Sequence, residues 1–157
     1  MGVLLMGVMV GLGGCRDGVG TRDVQGKWVV ELNGHRFHLE LALDDGERMQ
    51  GLSDRREIAE DGGMLFVFPR AEVVGFVMRR CLVPIDAVFV DAGGRVVKIA
   101  AMQVEPYETA ERDLRVYSSD WPVQFVIELA GGTAGKIGLS AGQKVDIGGE
   151  SLKAQAR

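Results

Sequence analysis

The stretch GGMLFVFPRAEVVGFVMRRCLVPIDAVFVDAGG, residues 62 to 94, decides the fold of this chain. It is the densest apolar stretch after the N-terminus, and it divides into three apolar runs at 64–68, 73–78 and 85–90. Each run has the length of a strand, and turn-forming residues separate them. One carboxylate, Asp86, lies inside the last run. The stretch therefore predicts three strands and one buried charge, which must find a partner because an unpaired buried carboxylate is costly.

The segments on either side add shorter signals of β structure. Apolar and polar residues alternate over 28–32 and 37–43 around the Asn-Gly pair at 33–34, which is the strongest short signal for a hairpin. Asp44 and Glu47 have the spacing of a capping box, so a short helix is predicted after the hairpin. Further strands are predicted at 96–102, 114–117, 123–129 and 144–147, and a helical turn at 133–137.

Composition sets the size and class of the fold. The chain has 157 residues, of which 46% are hydrophobic and 25% charged, which suits one globular domain better than two. About eight short strands separated by turns favour a mainly β fold, an antiparallel sandwich or barrel, because the helices are too few and too short for parallel crossovers. The predicted single domain covers 27–148, and the polar residues 149–157 are predicted to be a frayed tail.

The N-terminus predicts an extracytoplasmic location. Residues 3–12 are almost entirely apolar, and the sequence LGGC at 12–15 resembles the cleavage box of a bacterial lipoprotein signal. We expect residues 1–14 to be removed, Cys15 to carry the lipid anchor, and 15–26 to tether the domain to the membrane. The alternatives are a membrane-spanning anchor and a frayed end. The apolar run is only about half of the ~20 residues that a membrane span needs. Most secretory signals have Lys or Arg before the apolar run, and none precedes it here.

Several classes of function have little support in the sequence. The net charge of −4 provides no basic surface for nucleic acid. His35 and His38 are three residues apart on a strand and point to opposite faces, so they form no joint metal site. The G-x-S-x-G match at 138–142 has no histidine after it, which a hydrolase nucleophile elbow requires. We therefore expect no nucleic acid, no metal ion and no other cofactor.

Two acids inside the predicted strands, and one thiol between two of them, need explanation. Asp86 is either a buried structural group, satisfied by arginines or backbone N–H groups, or a carboxylate that faces a ligand. Glu128 lies on the polar face of its strand, so we expect it to be solvated. Cys81 is expected to be a small buried hydrophobe, because a lipidated Cys15 leaves it no disulfide partner. The arginines considered as partners of Asp86 are Arg48, Arg55, Arg79 and Arg80.

Six spaced motifs within 37–147 give the chain a family resemblance. They are R-x-x-G-L-x-x-R at 48–55, G-M-L-F-V-F at 63–68, F-x-M at 76–78, P-I-D at 84–86, F-V-D at 89–91 and V-I-E-L at 126–129. In this order they resemble the bacterial and archaeal domain-of-unknown-function family 192. The resemblance implies a jelly-roll-like β-sandwich with one or two short helices, often behind a secretory or lipoprotein signal, and it brings no established reaction.

The chain departs from the family pattern at three places. Val77 stands where the family usually has Trp, Ser53 where it has Met, and Arg79-Arg80 where it has Lys-Asn. The loss of an aromatic ring beside Met78 weakens any stacking role there, whereas the two arginines keep positive charge near Asp86.

These observations lead to three hypotheses for the function. The first is a membrane-tethered binding or accessory module of the cell envelope, whose cleft near Arg48, Arg55, Met78 and Asp86 takes a small-molecule or glycan ligand. The second is an enzyme that uses carboxylates on envelope polysaccharide, which needs two acidic groups about 5–9.5 Å apart. The third is a structural partner in an envelope assembly, which predicts an exposed apolar patch. The sequence leaves the oligomeric state open.

Overall fold

The computed structural model describes residues 18–157 and contains eight strands and a few short helices. The strands are β1 (Trp28–Leu32), β2 (His35–Ala42), β3 (Met64–Glu72), β4 (Gly75–Phe76), β5 (Ile85–Val90), β6 (Val96–Met102), β7 (Tyr117–Ser118) and β8 (Val123–Ala130). The helices are α1 (Asp45–Gln50), α2 (Thr133–Lys136) and α3 (Gly149–Lys153), with a 3-10 turn at Glu111–Asp113. The protein is therefore mainly β, as predicted.

Six strands form one mixed sheet in the order β1-β2-β3-β8-β5-β6, and β4 pairs with β7 in a separate two-stranded sheet. All neighbours are antiparallel except β2 and β3, which run parallel. The prediction of a wholly antiparallel arrangement was therefore wrong. Parallel neighbours need a long crossover connection, and the segment between β2 and β3 supplies it with one short helix, α1. The finer prediction of a jelly-roll-like sandwich stays a prediction.

The predictions of the first hairpin and of the capping box after it are confirmed. β1 and β2 pair antiparallel up to Leu32 and His35, and the two turn residues Asn33 and Gly34 have φ values of 50° and 81°. Positive φ at both central positions is the geometry of the tight turn that an Asn-Gly pair favours. The capping box at Asp44 is also confirmed, since its side chain accepts the N–H of Glu47 at the start of α1.

Three predicted strands differ in the structure. The run at 73–78 contributes only β4, the run at 114–117 contributes only the first residue of β7, and the run at 144–147 makes isolated bridges rather than a strand. Those bridges join Lys144 to Arg95, next to β6, and Asp146 to Glu31 of β1. Because β1 and β6 are the two edges of the large sheet, one segment covers both edges.

Both faces of the large sheet are buried, and β5 divides its residues between them. Val88 and Val90 belong to the first apolar cluster, which also contains residues from α2 and α3, and we call this side the helix face. Ala87 and Phe89 belong to the second cluster, on the side we call the cleft face. The alternation follows from the two-residue period of a strand, and it explains why β5 is apolar throughout.

Residues near both ends of the described chain belong to the fold. Leu152 of α3 is fully buried on the helix face, so 149–153 is an anchored helix where a frayed tail was predicted. The burial of the Leu152 side chain holds this helix in place, and the mostly polar composition of 149–157 gave no sign of it. Within the predicted tether, Gly20 donates its N–H to the carbonyl of Val29 at 2.8 Å. The predicted signal at 1–14 and Cys15 lie outside the described residues.

Candidate functional site

A cavity of about 530 Å³ opens on the cleft face of the large sheet. Its walls are residues 48–53 at the end of α1, the β3 side chains Phe66 and Phe68, and the segment 72–77 around β4. Cavities of this size, largely apolar with a few polar groups, are typical of small-ligand sites. Asp45, Arg79, Cys81, Glu111 and Glu128 complete the lining.

Glu128 lies at the floor of this cavity, in the middle of the sheet. Its strand, β8, runs between β3 and β5, and Glu128 is opposite Met64 on one side and Ala87 on the other. The residue is only 5% exposed. The expectation that Glu128 is solvated was therefore wrong, because chain segments distant in sequence, at 48–53 and 72–81, cover this face.

The carboxyl group of Glu128 has no hydrogen-bond partner among residues 18–157, and burial raises its pKa to about 8. Within the same residues, every fully enclosed side-chain oxygen or nitrogen has a partner. The little exposure that Glu128 retains must therefore be at its carboxyl oxygens, which reach the cavity. A carboxyl with this pKa keeps its proton at neutral pH, so in the unliganded protein it is a neutral hydrogen-bond donor.

Aromatic rings and a thiol form the apolar part of the site. Phe76 packs edge-to-face against Phe66 with the ring centres 4.9 Å apart, and against Phe89 at 5.9 Å. Cys81 is buried beside them, and burial, reinforced by the nearby Glu128, raises the pKa of its thiol to about 12. The prediction that Cys81 is a buried small hydrophobe is consistent with this environment, since nucleophilic cysteines need a lowered pKa.

The two arginines in the cavity wall are already engaged. The Arg48 guanidinium donates to the carbonyl of Val67 and to Asp45 at 2.8 Å each, and it also bonds the backbone oxygen of Arg157. Arg79 donates to the carbonyl of Met49 and lies 3.9 Å from a carboxylate oxygen of Glu111. Their positive charges therefore stabilise the walls of the cavity.

The four residues predicted to form a cleft do not come together. Arg48 lines the cavity, and Met78 is buried in the apolar cluster behind it. Arg55 instead forms a bidentate ion pair with Glu40, both N–O distances being 2.7 Å, which lowers the pKa of that acid. Asp86 belongs to the opposite face of the sheet, because it alternates with Ala87 along β5.

Asp86 is buried and bonded to a backbone donor of α2. It is 3% exposed, and its carboxylate accepts the N–H of Ala134 at 2.8 Å, in the first turn of α2. A carboxylate at this place satisfies a backbone donor that the helix itself leaves free. The arginines considered as partners are bound elsewhere, Arg80 to Asp54 and the others as described above.

Residues 18–157 contain no group of three or more His, Cys, Asp or Glu side chains placed to hold a metal ion. Of the two histidines, His38 lies 2.6 Å from the carboxylate of Asp23. None of the helices between residues 18 and 157 is long and apolar enough to cross a membrane.

One family model and two solved structures are similar to this chain. The sequence profile of DUF192, described as "Uncharacterized ACR", matches residues 28–147. A protein from Sinorhizobium meliloti 1021, described as a "putative transcription regulator", has a similar solved structure with 31% sequence identity and a TM-score of 0.66 over 77% of this chain and 92% of that chain. A protein of unknown function from Novosphingobium aromaticivorans DSM 12444 also shares 31% identity, with a TM-score of 0.67 over 80% and 90%. No curated protein is significantly similar to the chain in sequence.

Proposed function

Because this chain belongs to the DUF192 family, whose description names no reaction, we propose its function from the cavity: it is a small-ligand-binding module, tethered to the extracytoplasmic side of a membrane. One observation carries the binding part of the proposal. The buried carboxyl of Glu128 reaches a cavity of about 530 Å³ and has no partner within the described chain.

The energetic argument starts from the cost of that carboxyl. Holding an acid at a pKa of about 8 favours the unfolded chain at neutral pH, where the acid ionises freely. Any apolar side chain at 128 would avoid this cost, as the neighbouring Val126 does on the same face. A polar group that is costly for the fold and open to a cavity is typical of a binding or reaction site.

Blocking the cavity should abolish ligand binding without unfolding the protein. Val73 lines the cavity and is 57% exposed, so Val73→Trp places an indole at the mouth at little cost to packing. Val116, 63% exposed and outside the cavity wall, provides the matched control Val116→Trp. In a thermal-shift screen of fragments and envelope-derived oligosaccharides, we expect hits that stabilise the wild type and Val116→Trp and lose at least about tenfold in affinity with Val73→Trp. Hits that bind all three proteins equally, or none at all, would contradict the proposal.

The tether is proposed from the sequence at 12–15. Two acyl chains on one cysteine hold a protein on a membrane, whereas one chain binds only weakly. We expect mass spectrometry of the membrane fraction to find a diacylated Cys15 at the N-terminus, and Cys15→Ser to move most of the protein out of that fraction. An unmodified N-terminus in membrane-associated protein would refute the lipid anchor and leave the binding proposal standing.

A carboxylate-dependent enzyme acting on envelope polysaccharide is the second candidate. It is favoured by the pKa of Glu128, about 8, since a general acid must hold its proton at neutral pH. Asp45, Glu72 and Glu111 in the cavity wall are the acids available as a partner. Turnover of an oligosaccharide that Glu128→Gln abolishes while binding persists would favour the enzyme over the binding module.

The description of the Sinorhizobium meliloti protein as a "putative transcription regulator" does not carry over well to this chain. DNA binding draws much of its affinity from basic side chains that neutralise phosphates. This chain has a net charge of −4 and a sequence pI of about 5.2. We therefore prefer a small molecule or glycan as the ligand.

A further inference from the structure

We infer that the ligand of this cavity is an organic amine, a protonated amino group attached to an apolar body, with Glu128 as its counter-ion. The inference rests on the proposed function and names the chemical class of ligand for the same site. It is carried by the pairing of charges in the cavity wall and by the apolar surface around Glu128.

Among the residues described, three of the four acids that line the cavity have cationic partners. Asp45 pairs with Arg48 at 2.8 Å, Glu111 with Arg79 at 3.9 Å, and Glu72 with Arg70 at 3.7 Å. Glu128 has no such partner within 18–157. Among these four acids of the described chain, Glu128 is therefore the one whose ionised form would have no protein cation beside it, and it lies at the floor.

The cations of the cavity do not offer an equivalent site for an anion. Arg48 and Arg79 already donate to backbone carbonyls and pair with Asp45 and Glu111. An anionic ligand would compete with these contacts, and it would share the cavity with four acids, Asp45, Glu72, Glu111 and Glu128. A neutral polyol could accept a hydrogen bond from the protonated carboxyl, but it would leave the aromatic wall without an apolar counterpart.

The walls suit the rest of such a ligand. Phe66 and Phe76 line the same cavity as Glu128, and their edge-to-face contact at 4.9 Å fixes the two rings relative to each other. Aromatic rings accept both apolar groups and ammonium ions, the latter through the negative charge of the ring face. An amine beside Glu128 with its apolar body against these rings would use both parts of the cavity.

Binding of an ammonium group should expel the proton of Glu128. The free carboxyl holds that proton at neutral pH, and a cation beside it favours the ionised form. The other ionisable groups around the cavity are the thiol of Cys81, the pairs Arg48–Asp45 and Arg79–Glu111, and Glu72. The Cys81 pKa of about 12 keeps that thiol neutral, so Glu128 is the group that titrates.

The test uses isothermal titration calorimetry of the full chain with two matched probe sets. The amines are benzylamine, phenethylamine and cyclohexylamine, and the neutral analogues are the corresponding alcohols. Titrations at pH 6, 7 and 8, in two buffers of different ionisation enthalpy, measure affinity and proton release together. Wild type is compared with Glu128→Gln and with the Val116→Trp control.

We expect an amine to bind at least tenfold more tightly than its alcohol and to release nearly one proton per site at pH 7. Its affinity should rise by about tenfold from pH 6 to 7 and by about fivefold from pH 7 to 8, because one proton is displaced and Glu128 is already about half ionised at pH 8. Glu128→Gln should remove the proton release and the pH dependence and weaken amine binding at least tenfold, and Val116→Trp should change neither.

Alcohols that bind as tightly as the amines, or amine affinities that are unchanged in Glu128→Gln, would overturn the amine inference. The proposed function survives both results if the Val73→Trp block still abolishes fragment binding. Failure of all six probes would also overturn the amine inference, whereas the failure of the proposed function requires the broader fragment and oligosaccharide screen to yield no cavity-dependent ligand.

Discussion

Glu128→Gln should stabilise the protein by about 3 kcal/mol at pH 7. The buried carboxyl has a pKa of about 8 in the fold, against an ordinary value of 4.5. At a pH between these two pKa values, Glu128 has lost its proton in the unfolded chain but still holds it in the folded chain. Each unit of pKa difference lowers the free energy of unfolding by about 1.4 kcal/mol. Glutamine is close to the same shape, cannot ionise, and removes that advantage of the unfolded chain.

The direction in which the stability of the wild type changes with pH follows from the raised pKa of Glu128. Because the folded state binds more protons than the unfolded state, the stability of the wild type should fall as pH rises from about 4.5 to about 8, and it should level off above that. Glu40, whose pKa Arg55 lowers, acts in the opposite direction and at lower pH, since its stabilisation is lost as pH falls. The window between pH 5 and 8 therefore isolates Glu128 from this pair.

Urea unfolding at pH 5, 7 and 8.5 measures the effect. We expect the stabilisation by Glu128→Gln to be small at pH 5, about 3 kcal/mol at pH 7, and largest at pH 8.5. Asp86→Asn is the matched control, because Asp86 is equally buried but accepts the N–H of Ala134. That variant should lose about 1–2 kcal/mol at pH 7, as expected when a buried charged acceptor is weakened. Parallel pH profiles for wild type and Glu128→Gln would contradict the raised pKa.

The parts of this fold that were predictable from sequence are those set by neighbouring residues. The Asn-Gly turn at 33–34, the capping box at Asp44 and the doubly buried strand β5 each depend on a few adjacent side chains. Local patterns of this kind determine backbone conformation and the direction of side chains. The family followed from the order of several such patterns.

The parts that were missed depend on chain segments far apart in sequence. Alternation correctly separates Glu128 from the Phe125 side of β8, but it cannot tell that 48–53 and 72–81 cover the other face. The donor for Asp86, the N–H of Ala134, is 48 residues away. The parallel pairing of β2 and β3 depends on the path of the crossover between them. A signal for Glu128 was nevertheless present, since it lies within the family motif V-I-E-L at 126–129.

Gly63→Ala should destabilise the protein by several kcal/mol and disrupt the cavity with it. Gly63 precedes β3 and has a φ of 143°, which side-chain-bearing residues rarely adopt. A Cβ at this position would lie 2.1 Å from the backbone oxygen of Glu128, far inside van der Waals contact. Gly63 also accepts the N–H of Glu40 at 3.0 Å, so it cannot shift without disturbing the junction with β2. Strained backbone and overpacking each cost about 1–3 kcal/mol, and here they add at one residue.

Two other glycines, Gly132 next to α2 and Gly135 within it, separate the cost of backbone strain from the cost of overpacking. Gly132 also has a positive φ, 85°, but open space where its Cβ would be, so Gly132→Ala should cost about 1 kcal/mol from backbone strain alone. Gly135 has neither a positive φ nor a neighbour within 4 Å, so Gly135→Ala should leave stability unchanged or raise it by up to about 1 kcal/mol. Urea unfolding of all three variants at pH 7 measures the series. If Gly63→Ala loses no more stability than Gly132→Ala, then β3 and β8 can move apart at Gly63 at little cost, and the close approach to the backbone oxygen of Glu128 does not restrict this position.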